Sequence, residues 1–277
     1  MCIRDSGRAH TNFKAHGAET GRFSSSDPNL QNIPSGGDYG KLIRDLFIAP
    51  KGYKLVVADY SQIEPRIIAS FSQDPIALEY YRTGKDLYVA IADVMGVERK
   101  VGKTLVLAIS YGVGPEKIAR SIGCSEKEAR DLIDQFSEEF PDIIKYKHKV
   151  VRLARLNSPV PYVDTLFGRR RYLPELKSQD NVMKYRAERQ AFNTKIQGSA
   201  ADLMKLALVR AHSCFVDEPD VNVVLTVHDE LVTVAREDLA QETAEAIRES
   251  MEGVKLPEIL VPLIADVKIV DKWGEAK

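Results

Sequence analysis

The chain has 277 residues, 44% apolar and 29% charged, with a formal net charge of −1. That is an ordinary globular composition, long enough for one large domain or two intertwined ones. No apolar run approaches the ~20 residues that span a bilayer, and residues 1–6 lack the apolar core of a secretory signal. Cys2, Cys124 and Cys214 are scattered and form no CxxC pair, which excludes a zinc ribbon or disulfide framework and points to a reducing, cytoplasmic setting.

In chain order, residues 1–20 are polar and show no clear period, and residues 21–34 are dense in turn formers and read as an ordered loop. Lys54-Leu55-Val56-Val57-Ala58-Asp59 predicts a buried strand with a carboxylate at its C-terminal end. Helical patterns run from about 62 to 154 with breaks, and Ser125 and Glu128, three apart, predict a capping box. Residues 163–173 form a compact β-like piece around Arg169-Arg170-Arg171, followed by a helical stretch from about 181 to 213. Residues 223–227 and 231–234 predict a β-hairpin with His228, Asp229 and Glu230 at its tip. A helix from about 240 to 251 and a strand over 263–270 complete the pattern. Strands on both sides of a helical insert predict an α+β fold with an antiparallel sheet.

Charge is unevenly spread. Residues 141–190 hold twelve Lys and Arg against five Asp and Glu, a net of +7, and residues 216–277 hold six against fifteen, a net of −9. A basic stretch in a near-neutral chain is the footprint of a phosphate backbone; solvated helix faces of differing sign are the other reading.

Asp59 and Asp229 carry the candidate chemistry. An acid ending a buried strand is costly unless paired or metal-bound, and two acids side by side repel unless a divalent cation relieves them. Mg²⁺ takes one or two carboxylates together with waters and phosphates, and two ions ~3.5–4 Å apart serve an in-line phosphoryl displacement. Spacing alone leaves the ordinary alternative, a cap or turn residue, open. Arg99, Lys103, Leu107 and Tyr111 follow one another at intervals of four and would line one helix face over ~18 Å. Such a face can hold a triphosphate with its two cations and sugar and base with the others; a helix with two surface cations and two core residues has the same spacing. Arg189, Asn193 and Gln197 form a second stripe, fully polar, either a solvated face or donors for the acceptors of a nucleic-acid minor groove.

The words around these residues are specific. Asp59-Tyr60-Ser61-Gln62-Ile63-Glu64-Pro65-Arg66, the segment from Arg99 to Lys103 and on to Tyr111-Gly112, and Val227-His228-Asp229-Glu230-Leu231 stand in order along the chain. Thr20-Gly21-Arg22 through Asn32-Ile33-Pro34, Thr165 through Tyr172, and Ala191-Phe192-Asn193 through Lys205 accompany them. Together they resemble the DNA polymerase I family (family A) from about Gly7 onward.

The resemblance implies a palm at 7–74 and 216–277 with helical fingers at 75–215, and template-directed transfer of deoxynucleotides to a primer 3′-hydroxyl in replication or repair. It implies two Mg²⁺ ions, with Mn²⁺ as a substitute, held by Asp59, Asp229 and the Tyr60 carbonyl. Asp59, Asp229, Glu230 and Lys103 would serve the catalytic step. Arg99 and Lys103 would bind the incoming triphosphate, with Leu107, Tyr111, Glu64 and Gln62 completing the nucleotide site. Arg22, Asn29, Gln31, Arg189, Asn193, Gln197 and His228 would contact primer–template DNA. The partners implied are primer–template DNA and deoxynucleoside triphosphates, with no membrane.

Three departures stand out. Pro65 replaces an apolar residue and biases Glu64 away from helical angles. Leu107 stands where the family has Phe or Tyr, so discrimination against dideoxynucleotides is expected. The thumb and any exonuclease domain are absent from the resemblance, and residues 1–6 are expected to be foreign to the family. Two rival readings follow: a two-metal nuclease, which needs the acids without the cationic stripe, and a nucleotide- and DNA-binding fragment with little activity because the thumb is missing.

Overall fold

The computed structural model describes residues 6–34 and 36–276; Cys2, with the rest of residues 1–5, lies outside the described residues. The chain divides into two compact units, one made of residues 1–61, 201–255 and 263–277, the other of residues 62–200 and 256–262. Among the described residues, no helix is long and apolar enough to cross a membrane.

The first unit is built on one sheet. A short hairpin, β1 (Asn12–Lys14) and β2 (Ser24–Ser26), and helix α1 (Gly37–Arg44) precede β3 (Tyr53–Tyr60). Leu55, Val56, Val57 and Ala58 are all buried, so both faces of β3 are covered, and the continuous apolar run is what such a strand requires. One face, Leu55 and Val57, packs with Leu30, Val227, Val232 and Trp273. On the other, the buried Tyr60 hydroxyl donates to the Met251 carbonyl at 2.7 Å.

The unit's other strands lie far along the chain: β6 (Val221–Val227), β7 (Glu230–Arg236) and β8 (Ala265–Val270). The sheet order is β6-β7-β3-β8 with every pairing antiparallel. A register shift between Val223 and Leu225 leaves Val224 exposed, as a bulge does.

The second unit is mainly helical. Its elements are α2 (Ile63–Ser72), α3 (Pro75–Arg82), α4 (Leu87–Met95), α5 (Arg99–Tyr111), α6 (Pro115–Ile122), α7 (Glu126–Glu139), α8 (Pro141–Leu156), the hairpin β4 (Tyr162–Asp164) and β5 (Arg170–Tyr172), and α9 (Asn181–Asn193). A π-turn over Thr194–Gly198 links α9 to α10 (Ser199–Cys214), which from residue 201 on belongs to the first unit, as does α11 (Ala240–Glu252).

The capping box at α7 is present, with the Ser125 side chain accepting from the Glu128 N–H and the Glu128 carboxylate accepting from the Ser125 N–H. The bias that Pro65 imposes on Glu64 does not prevail. Helix α2 starts at Ile63, so Glu64 is helical and Pro65 sits in the first turn, where its missing N–H has no partner to lose. The β1–β2 hairpin departs from the sequence reading, which finds no period over residues 1–20 and a loop over 21–34, and α1 lies between residues 34 and 54, where the sequence reading assigns no element.

Helices α4 and α5 touch closely at Gly102, where an added Cβ would lie 2.7 Å from the Tyr88 carbonyl oxygen and 3.3 Å from Ile91. Gly102→Ala is therefore expected to cost about 1–3 kcal/mol by overpacking, read as a lower urea midpoint. An unchanged midpoint would mean that the two helices separate freely.

Candidate active site

In the first unit, the antiparallel ladder sets the acids. Asp59 pairs directly with Glu230 of β7 on one side and with Asp266 of β8 on the other. The Tyr60 N–H donates to the Asp229 carbonyl at 3.0 Å. The strand-end acid and the hairpin acid, 170 positions apart in sequence, are thus brought together by backbone pairing, Asp59 on β3 and Asp229 in the turn that leads into β7. Opposed residues of an antiparallel pair leave the same face, so Asp59 and Glu230 share one face. Asp59 and Asp229 are half-buried and Glu230 is buried.

His228 holds a left-handed backbone, φ 56°, in the two-residue loop between β6 and β7, a region costly for a residue other than glycine. Its ring reaches solvent yet is crowded. Desolvation, then the charges of Arg22 and Arg44, hold its pKa below the usual imidazole value, while Glu230 and Asp59 act in the opposite direction.

The Asp59 and Asp229 carboxylates and the Tyr60 carbonyl are all oxygen donors, the set a hard divalent ion prefers. Among the described residues, no group of three or more His, Cys, Asp or Glu side chains is placed to hold a metal ion by itself. Two carboxylates suffice for Mg²⁺, which keeps waters and phosphate oxygens as its other ligands, so these residues fit such an ion.

In the connection between β1 and β2, Arg22 is half-buried and close enough to act on His228. Asn29 caps a short turn by accepting from the Gln31 N–H at 3.0 Å. Gln31 is buried and its Nε2 donates to the Thr226 carbonyl of β6 at 3.0 Å. Asn29 and Gln31 therefore fix the turn that follows β2, while Arg22, just before β2, is partly exposed.

In the second unit, α5 presents Arg99, Lys103, Leu107 and Tyr111 on one exposed face, and Leu105, Val106, Ala108 and Ile109 are buried on the other. The stripe is thus real, and Leu107 and Tyr111 are not core residues. Arg99 donates to Asp86 Oδ2 at 2.6 Å, and Gln62 Nε2 donates to the same oxygen at 2.6 Å. Burial pushes the Asp86 carboxyl up, but the bonds from Arg99, Gln62 and the Val89 N–H outweigh it and hold the group below its usual value.

The Tyr111 hydroxyl donates to Glu64 Oε2 at 3.0 Å, and Gln197 Nε2 reaches the Tyr111 oxygen at 3.2 Å. Three separate motifs meet in this cluster. Arg189, Asn193 and Gln197, together with Tyr111, line one cavity of about 340 Å³. The stripe crosses the π-turn, a device that re-aims side chains within a helix.

Gly112 ends α5 at φ +62°, and an added Cβ there would lie 2.0 Å from Arg189 Cδ, so the helix end and the second stripe need glycine. Lys147 Nζ caps the Ile109 carbonyl at 3.1 Å, and burial lowers its pKa. The arginine cluster serves the unit internally: Arg170 forks onto Asp164, Arg169 bonds the Gly198 carbonyl and Arg171 bonds Thr194.

Asp86, which holds Arg99 and Gln62, and Arg44 and Trp273, which meet Glu230, are residues around these side chains that the sequence reading missed. Only Asp86 left a trace, as the N-cap before the apolar run of α4.

The model of DNA polymerase family A matches residues 1–275, a span that begins ahead of Gly7, where the motif resemblance starts. DNA polymerase I of Pseudomonas aeruginosa is 41% identical over 280 aligned positions, which cover 98% of this chain and 30% of that protein. The thermostable DNA polymerase I of Thermus aquaticus is 39% identical, covering 98% of this chain and 33% of that protein. The chain spans about a third of the length of these curated relatives. The POL domain of Pol1 from M. smegmatis, solved in complex with DNA primer-template and dNTP, matches with a TM-score of 0.92 and 36% identity, over 99% of this chain and 49% of that one.

Asp86 also makes a pH prediction. Its folded pKa is depressed, so the stability it contributes is full above the unfolded carboxylate range, about pH 4, and is lost as pH falls through the lower folded value. Asp86→Asn is expected to lower the urea midpoint at neutral pH and to reduce its further decline on acidification. Equal declines in both proteins would show that Asp86 is not held by Arg99 and Gln62.

Proposed function

This chain belongs to DNA polymerase family A, and on that premise we propose that it carries the nucleotidyl-transfer core of a template-directed DNA polymerase. The first unit then corresponds to the palm and the second to the fingers, although residues 62–74 and 256–262, expected in the palm, fall in the second unit and residues 201–215, expected in the fingers, fall in the first. The observation that carries this reading is the ladder that sets Asp59 against β7 and ties Tyr60 to Asp229, in a chain whose second unit displays the cationic face of α5.

In the proposed reaction, the primer 3′-hydroxyl oxygen attacks the α-phosphorus of a deoxynucleoside triphosphate. A new P–O bond forms, the bond to the bridging oxygen of the β-phosphate breaks, and pyrophosphate leaves. Asp59, Asp229 and the Tyr60 carbonyl would hold two Mg²⁺ ions, with Mn²⁺ as a substitute. Bound there, the ions supply charge neutralisation and activation of the attacking hydroxyl.

Arg99 and Lys103 take the triphosphate as paired cations one helical turn apart, Lys103 also serving the catalytic step, and Asp86 holds Arg99 in reach. Leu107 and Tyr111 serve sugar and base, and Leu107 offers no hydroxyl to replace the one a dideoxynucleotide lacks. Glu64, tied to Tyr111 and Gln197, stands at the sugar, and Gln62 steadies that start of α2. Arg22, Arg189, Asn193, Gln197 and His228 contact primer–template DNA through donors that read pair shape and not sequence, on a loop braced by Asn29 and Gln31. Glu230 acts close to the acids without being a principal ion ligand.

The alternative of a two-metal nuclease uses the same acids but has no need of the Arg99–Lys103 face. Primer extension on a defined template separates the readings. The chain should extend a primer in Mg²⁺ and dNTPs and stop when the ions are chelated. Asp59→Ala and Asp229→Ala should each lower extension at least about a hundredfold, the scale of losing transition-state electrostatics, while DNA affinity changes little. Near-native extension by Asp229→Ala would remove the site assignment. DNA and nucleotide binding without extension would leave the chain a binding piece.

A further inference from the structure

We infer that Arg44 and Trp273 are positioning residues of the carboxylate site, acting through Glu230; this rests on reading Asp59 and Asp229 as the ion-holding pair. Glu230 opens β7 directly opposite Asp59 and immediately follows Asp229. Its side chain is 2% exposed, and a carboxylate so buried is costly unless charged and hydrogen-bonding partners meet it.

Two partners do. Trp273 Nε1 donates to Glu230 Oε1 at 2.7 Å, and the Arg44 guanidinium lies 3.6 Å from the same oxygen. Arg44 and Trp273 are 4% and 1% exposed, and the guanidinium stacks over the indole at 4.0 Å.

Each partner is itself pinned. Arg44 donates to the Pro34 carbonyl at 3.0 Å and the Ile33 carbonyl at 3.4 Å. The Trp273 N–H donates to the Phe47 carbonyl at 2.9 Å. At Gly274, an added Cβ would lie 2.2 Å from Asp45 Oδ1 and 2.9 Å from the Lys41 carbonyl, so only glycine lets the last turn press this closely on α1.

The consequence falls on Asp229. Glu230 is clamped from the wall by two rigid planar groups, and the Tyr60 N–H holds the Asp229 carbonyl from β3. The hairpin acid is therefore fixed between two braced points. Removing the indole N–H takes away the hydrogen bond that fixes the orientation of the Glu230 carboxylate and leaves the Arg44 guanidinium beside it. The turn that carries Asp229 then loses one of its two braces, and the pair proposed to meet an ion together is misplaced. Outer partners of this kind tune an ion site without touching the ion.

The test is Mn²⁺ binding to the whole chain, measured by the electron paramagnetic resonance of free Mn²⁺, with Asp59→Ala marking the site. Trp273→Phe keeps the ring and deletes only the donor. Phe47→Leu loosens the packing against the same indole without touching Glu230. Trp273→Phe is expected to weaken Mn²⁺ binding about tenfold and Phe47→Leu to change it less than about twofold, although both lower Tm. If Trp273→Phe does not fold, Arg44→Lys, which keeps the charge but loses the planar fork, carries the same expectation. Equal shifts in Trp273→Phe and Phe47→Leu, or no shift in Trp273→Phe, would overturn the inference and leave the carboxylate reading standing. If the unaltered chain shows no Mn²⁺ binding that Asp59→Ala abolishes, the carboxylate reading falls and this inference falls with it.

Discussion

The register of β3 between β7 and β8 is the constraint on which the first unit depends. Asp59 lies opposite Glu230 and Asp266, so acids stand level across three neighbouring strands at one end of the sheet. Like charges placed directly opposite are destabilising. The register is nonetheless not free to slip, because a shift of one residue would exchange the faces of the whole strand. Leu55 and Val57 would leave the cluster around Trp273, and Tyr60 would lose its bond to Met251. Burial of both faces of β3 therefore holds these acids level, with Arg44 and Trp273 meeting Glu230. A divalent ion at the proposed site would offset the like charge without moving the strands.

The second unit follows a different rule: its polar groups are held by one another. Asp86 takes both Arg99 and Gln62, and Glu64, Tyr111 and Gln197 form a closed set of hydrogen bonds. The side chains proposed to meet the nucleotide thereby hold defined positions on their own, which would reduce the ordering cost of binding. Gly102 and Gly112 set how closely the helix that bears them can approach its neighbours. These two glycines therefore matter to the site although neither offers a functional group.

Much of this was legible in the sequence, for physical reasons. The run Leu55–Ala58 is buried on both sides and so reads as a strand without alternation. The capping box of α7 is legible because it is local, and so is the four-residue spacing of the α5 stripe; its exposure is not, because Leu107 and Tyr111 have the character of core residues and yet lie outside. The β1–β2 hairpin was not legible. Its strands are Asn12-Phe13-Lys14 and Ser24-Ser25-Ser26, which lack apolar alternation, and its order comes from side-chain bonds such as Thr11 to Ser25 at 2.6 Å. Helix α1 follows Gly36 and begins at Gly37, poor helix formers, and exposes Tyr39 and Leu42. The pairs Glu230–Trp273 and Gln62–Asp86 join residues 43 and 24 positions apart. Such pairs have no periodic signature, because only the folded chain brings them together.

The most direct measurement is the thermal unfolding of the chain with and without Mg²⁺. If Asp59 and Asp229 form one ion-holding pair, the unaltered chain must unfold at a higher temperature in about 10 mM Mg²⁺ than in chelator, because the ion binds the folded state alone. Asp59→Asn and Asp229→Asn must each abolish that rise. A rise that survives in either variant, or no rise in the unaltered chain, would contradict the account.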